Sequence, residues 1–163
     1  ICSLMFVDFS SLDLSSRVWI FQSETEINKN LEDLIKKELT EFLENWVSHG
    51  IDIISSFEIK YETFIVIAVS DSINISGCSI DTLINFVKSL EIKYNLSLMN
   101  KNIIKFKNGS TISSMNMSDF KSKCEKINNN EELIVFNNLV NSIADYRNKW
   151  EIDIRLSWHK RYL

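Results

Sequence analysis

The stretch FEIKYETFIVIAV, Phe57 to Val69, decides the fold. Its first half, Phe57 to Glu62, alternates apolar and polar residues without a break, the pattern of a strand with one buried face. Its second half, Phe64 to Val69, is apolar at every position, as a strand covered on both faces must be. A tight turn near Glu62 joins the two.

Toward the N-terminus, Arg17-Val-Trp-Ile-Phe-Gln22 is β-branched and aromatic and reads as another strand. Ser23-Glu-Thr-Glu26 has the spacing of a capping box. The helix it predicts carries Ile27, Leu31, Leu34, Ile35, Leu39, Phe42, Trp46 and Val47 on one face and an acidic surface on the other. Ser48-His49-Gly50 is expected to end it, with Gly50 as a left-handed cap. Phe6, Phe9 and Leu12 precede all this as a short packing arm.

Toward the C-terminus, a polar loop leads to Gly77-Cys78-Ser79, which opens a second helix with Ile80, Leu83, Ile84, Val87 and Leu90 on one face. Ile103 to Lys107 reads as a strand, Asn108-Gly109 as a hairpin turn and Thr111 to Met115 as its partner strand. A short helix from Ser118, a strand at Leu133 to Phe136, a helix at Ser142 to Trp150 and a polar-aromatic tail complete the chain.

The first six elements follow the order β-α-β-β-α-β, which is that of an α+β, ferredoxin-like core with strands in the order 4-1-3-2. That order places the two doubly apolar strands in the centre. The 163 residues fit one domain, with an arm at 1–16, the core at 17–107 and an extension at 108–163 that adds a hairpin and C-terminal helices. Trp19 and Phe21 alternate with Val18 and Ile20, so both faces of the first strand need cover. The extension is expected to wrap over the second face.

Composition narrows the function classes. A net charge of −4 argues against a nucleic-acid partner, which needs a concentrated basic face. Trp19 and Phe21 lack the surrounding pattern of an RNA-binding sheet. Three widely spaced cysteines, Cys2, Cys78 and Cys124, read as free thiols in a reducing, cytoplasmic setting. No apolar run reaches the roughly 20 residues of a membrane helix, so no membrane insertion is expected. The opening Ile1-Cys-Ser-Leu lacks the features of a secretory signal, and Met5 could be the natural start, with Ile1 to Leu4 an upstream extension or a truncation scar. Proline is absent and glycines number three, which makes Gly50, Gly77 and Gly109 conspicuous as turn residues.

Patterns for phosphate loops, dinucleotide folds, zinc proteases, hydrolase elbows and calcium loops are all missing. A phosphate-binding loop needs GxxxxGK[ST], so P-loop ATPase chemistry is excluded at the motif level. No cofactor is implied.

Two polar clusters remain. Gly77, Cys78, Ser79 and Asp81 open a helix, where backbone N–H groups favour an anion. In a ferredoxin-like topology His49 arrives at the same edge. The imidazole there could take the proton of Cys78, giving a thiol nucleophile. The second cluster is Asn137, Asn138, His159 and Arg161. Paired carboxamides suit an amide-like ligand, while His159 adds a proton switch and Arg161 a fixed charge. The blander alternatives are turn chemistry for the asparagines and packing for the tail. A zinc site from His49, Cys78 and His159 has the right ligand types but no helpful spacing.

The segments SSRVWIFQ, SHG, SFEIKYETFIVIAV, SGCSID, VFNNLV and SWHKRYL resemble, in that order, a family of small bacterial proteins of about this length that often carries the label ABC transporter ATPase. The resemblance runs from Met5 almost to the end. It implies neither an activity nor a catalytic residue.

The expectation is therefore a binding or interaction domain holding a small anionic ligand at the start of the second helix. A Cys-His thiol enzyme is the second reading. A structural subunit with a protein partner, or a homo-oligomer, is the third.

Overall fold

The computed structural model describes residues 5–163, so Cys2 and the proposed upstream extension lie outside the described residues. Strand β1 (Arg17–Gln22) leads into Ser23–Ile27, which is irregular, bends at Glu24 and Thr25, and does not cap a helix. Ser23 N–H donates to Thr63 C=O at 2.7 Å, and Ile27 N–H donates to Glu62 C=O at 2.7 Å. These bonds hold the segment against a neighbouring turn, and the capping box does not form. Asn28 caps α1 (Lys29–Glu44) instead, its side chain accepting from Leu31 N–H at 3.0 Å.

The helix also ends earlier than Gly50. Val47–Ser48 (β2) and Ile51–Asp52 (β3) form a small hairpin whose two-residue turn is His49-Gly50. Both residues take positive φ, 50° and 75°, as a hairpin turn with the right-handed strand twist requires. Gly50 therefore serves a turn between strands and is not a helix cap. Val47 and Leu34 fall outside the buried stripe, at 44% and 49% exposure.

The pattern at 57–69 becomes β4 (Ser55–Lys60) and β5 (Phe64–Val69), paired antiparallel with Lys60 opposite Phe64. Their turn places Tyr61 and Glu62 at φ 55° and 53°, and Thr63 N–H donates to Lys60 C=O at 3.1 Å. β5 is buried throughout, with β1 on its other edge, so the first sheet runs β1-β5-β4. α2 (Gly77–Tyr94) follows, capped by the Ser76 side chain.

Both helices pack on one face of this sheet. Ile35, Leu39, Leu43, Leu83, Val87 and Leu90 meet Phe21, Ile65, Ile67 and Val69 in one core. Phe42 and Phe86 stack across the helix pair at 4.2 Å between centroids.

Beyond α2 the chain builds β6 (Ile103–Asn108), β7 (Thr111–Asn116), α3 (Met117–Cys124), β8 (Ile134–Phe136), α4 (Ile143–Lys149) and β9 (Glu151–Asp153). Gly109 takes φ 65° in the β6–β7 turn. Asn116, not Ser118, caps α3. The second sheet runs β7-β6-β8-β9. The face of the first sheet that bears Val18, Phe64, Val66 and Ala68 is covered by Phe136, Val140, Ile143, Tyr146 and Trp150. Two apolar faces on β1 demand such cover, because a bare second face would leave those side chains in water.

The fold is thus α+β, with one departure from the expected single sheet. Three strands follow the expected order 1-3-2, but β6 pairs with β7 and β8, not with β1. Two causes are visible. Ile104 and Phe106 are buried against Phe120, Cys124 and Val135 in a core of their own, which draws β6 toward α3. The outer edge of β1 is also occupied at its start. Val18 N–H donates to Asn141 C=O at 3.1 Å, and Ile143 N–H donates to Ser16 C=O at 2.9 Å. Gln22 spans the remaining gap, its Nε2 donating to Ile103 C=O at 2.7 Å.

Candidate functional site

The gap between β1 and β6 is a cleft of about 620 Å³. Its walls are mainly apolar, with Ile20 from β1, Ile84 from α2, Leu98 and Met99 from the loop after it, Ile104 from β6 and Phe136 from β8. Into this setting the fold places Gln22, Lys105, Asn138, Trp158, His159 and Arg161. Few, well-placed polar groups in an apolar cleft are what small-molecule sites look like.

The polar groups divide by role. Trp150 Nε1 donates to Asn138 Oδ1 at 2.9 Å, Asn138 Nδ2 donates to Gln22 Oε1 at 2.9 Å, and Gln22 passes the chain to Ile103 C=O. This relay ties the 136–150 region to both edges of the cleft. Asn138 is therefore a bridging residue as well as a lining one. Asn137 is turned away from the cleft's chemistry, its Oδ1 accepting Leu139 N–H at 3.2 Å in a local turn.

Lys105 is the unusual charge. The residue is only 5% exposed, and Nζ has one hydrogen bond, to Ser114 Oγ at 3.2 Å. Among the described residues no carboxylate forms an ion pair with it. Burial pushes its ammonium pKa down, opposed weakly by the more distant Glu24. Its neighbour Lys107, by contrast, is paired with Glu151 and held above its usual value, first by that hydrogen bond.

His159 is 2% exposed, stacked on Trp158 at 3.9 Å between centroids, with Nδ1 2.7 Å from Ser157 Oγ. Burial, and then the nearby Arg161 charge, push its pKa down to about 4. At that value the ring is neutral at physiological pH. Arg161 is exposed at the mouth. Its guanidinium lies 4.7 Å from the Trp158 ring and 4.9 Å from the Tyr162 ring, and donates to Tyr162 Oη at 2.8 Å. It makes no ion pair among the described residues.

The first cluster is arranged differently. Ser48 Oγ accepts Ser76 N–H at 3.0 Å, and Ser79 Oγ donates to Val47 C=O at 2.9 Å, so the β2–β3 hairpin does meet the start of α2. Ser79 is buried and its N–H is taken by Ser76 Oγ. Gly77 and Asp81 are exposed, and Cys78 is an exposed free thiol. Among the described residues no hydrogen bond joins Cys78 to His49, and no group of three or more His, Cys, Asp or Glu side chains is placed to hold a metal ion.

Another groove, about 820 Å³, runs along α1 and α2 beside Leu34, Phe42 and Phe86. Two of its four charged residues, Lys93 and Glu38, are paired with each other. The described residues include no helix long and apolar enough to cross a membrane.

Sequence reasoning found Asn138, His159 and Arg161 but missed Gln22 and Lys105. The available signal was the run Ile103-Ile-Lys-Phe-Lys107, where a lysine sits between two core residues. Comparison with family models, with curated proteins and with solved structures returns no match for this chain.

Proposed function

We propose that the protein binds a small organic anion with an apolar body in the cleft between β1 and β6. The observation that carries this reading is Lys105, a buried cation without a carboxylate partner on the wall of a largely apolar cavity. Buried charges are normally paired, and an anionic ligand would supply the missing partner. Arg161 and Lys101 add positive charge at the exposed rim, and Trp158 offers an aromatic face. The anionic ligand expected at the start of α2 is thus assigned to the other cluster, where a cavity exists to hold it. In this reading the fold is a ferredoxin-like plan whose fourth strand has swung off the sheet and left the seam open. Two unpaired cysteines, Cys78 and Cys124, fit a reducing compartment.

Phenyllactate is a suitable probe, with a carboxylate, a hydroxyl and a phenyl ring. Calorimetric titration should show binding to the wild-type chain, with a change in tryptophan fluorescence from Trp158. Arg161→Gln should weaken it on the order of tenfold, the usual scale for one charge-assisted contact. Absence of binding, or equal affinity in a Lys105→Met/Arg161→Gln double variant, would sink the proposal.

A further inference from the structure

A lysine that is buried, unpaired and next to a cavity can do more than attract an anion. An ammonium has three donors, and Lys105 Nζ uses one, on a neutral hydroxyl at 3.2 Å. Before an anion arrives, these surroundings therefore hold the third proton less tightly than those of most lysines do. Only the neutral amine carries the lone pair that attacks carbonyl carbon, and desolvation is a recognised way to expose it. Lys107, two residues on and ion-paired to Glu151, has no such freedom.

The rest of the cleft fits the same chemistry. His159 is neutral and buried, so it adds no positive charge of its own. Arg161, exposed and without an ion pair among the described residues, stands at the mouth, where a carboxylate would enter. The apolar walls accommodate a hydrocarbon or aromatic substituent.

We propose that Lys105 forms a reversible imine with small α-oxo acids that enter this cleft. The proposal rests on the anion-binding reading above and extends it from binding to covalent chemistry. The Nζ lone pair bonds to the carbonyl carbon as the C=O π pair moves onto oxygen. A proton passes from nitrogen to that oxygen, giving a carbinolamine. The hydroxyl then leaves with a second proton as water, and the nitrogen lone pair closes the C=N bond. Amine and ketone give imine and water, with no oxidant or reductant. Addition of water reverses the step.

Borohydride trapping tests this directly. The full chain is incubated with phenylpyruvate and cyanoborohydride, which delivers hydride to the imine carbon and fixes the adduct as a secondary amine. Intact mass and peptide mapping then locate it. The expected result is one adduct per chain, on Lys105, absent from Lys105→Met and suppressed by excess phenyllactate. An adduct spread over exposed lysines with none on Lys105, or equal labelling of Lys105→Met, overturns the inference. Phenyllactate cannot form an imine, so it separates the two claims. Binding of phenyllactate without trapping of phenylpyruvate overturns the imine and leaves the anion site standing. Failure of both acids to bind overturns both. Circular dichroism of Lys105→Met confirms that its loss of labelling is not a loss of fold.

Discussion

Mild acid should weaken this protein through His159. The folded chain keeps the ring neutral down to about pH 4, whereas an unfolded histidine protonates near 6.5. Between those values the unfolded chain binds more protons, so falling pH favours it. Stability is therefore complete above about pH 6.5 and declines as the pH drops toward 4. A gap of about 2.5 pH units, 6.5 less about 4, corresponds to a limiting loss of about 3 kcal/mol at about 1.4 kcal/mol per unit. About 2 kcal/mol of that is reached by pH 5, a large share of the roughly 5–15 kcal/mol typical of a domain. Glu24 is held below its usual range by Asn100 and Ser97, and Glu38 by Lys93 and Tyr94, so both are charged in the folded chain across this window. Urea unfolding of wild type and His159→Gln at about pH 7.5 and pH 5 isolates the effect, because glutamine does not titrate. Wild type should lose about 2 kcal/mol more than the variant across that interval. Identical pH dependence in the two proteins would refute the argument, since it would mean that burial does not exclude the proton from the ring.

Other consequences are equally direct. Lys105→Met exchanges a poorly partnered buried ammonium for an apolar chain of similar length, and should raise the urea midpoint by up to about 2 kcal/mol of stability. Asn138→Leu leaves Trp150 Nε1–H and the Gln22 carbonyl without partners, and should cost about 1–3 kcal/mol in the same assay. Gly50→Ala puts a Cβ on a residue at φ 75°, and thermal unfolding should report a loss of about 1 kcal/mol even though no neighbouring atom crowds the position.

Legibility in the sequence followed the reach of the forces involved. The β4–β5 hairpin was readable because burial acts on each residue alone, and the two patterns in Phe57 to Val69 record it. Cover on the second face of β1 could be inferred because Val18 and Ile20 have no polar alternates. Local capping was less readable. Ser23-Glu-Thr-Glu26 satisfies the capping-box pattern, but Ser23 and Ile27 backbone groups find partners in a turn 35 to 40 residues away, Thr63 and Glu62. His49-Gly50 supports either a helix cap or a hairpin turn, since both want positive φ, and the choice fell to the pairing of Val47 with Asp52. The position of β6 could not be read at all. Its strand character is local, but its choice of neighbour depends on Phe120 and Val135, which the pattern of Ile103 to Lys107 does not encode. Asn138, His159 and Arg161 were visible as a polar group, whereas Lys105 was marked only by its place between two core residues and Gln22 not at all.

The relay through Gln22, Asn138 and Trp150 has a consequence for the thermodynamics of recognition. A seam between two strands with free backbone groups would ordinarily zip shut, and a guest would first have to break those bonds. Here the Gln22 amide spans the gap to Ile103 and acts as a spacer, while the starting end of β1 is occupied by Asn141 and Ile143. The cavity is held open by bonds that a ligand does not need to disturb. For the anion proposed above, entry would then carry little reorganisation cost, and the free energy of contact would go into residence in the cleft and not into prising it apart.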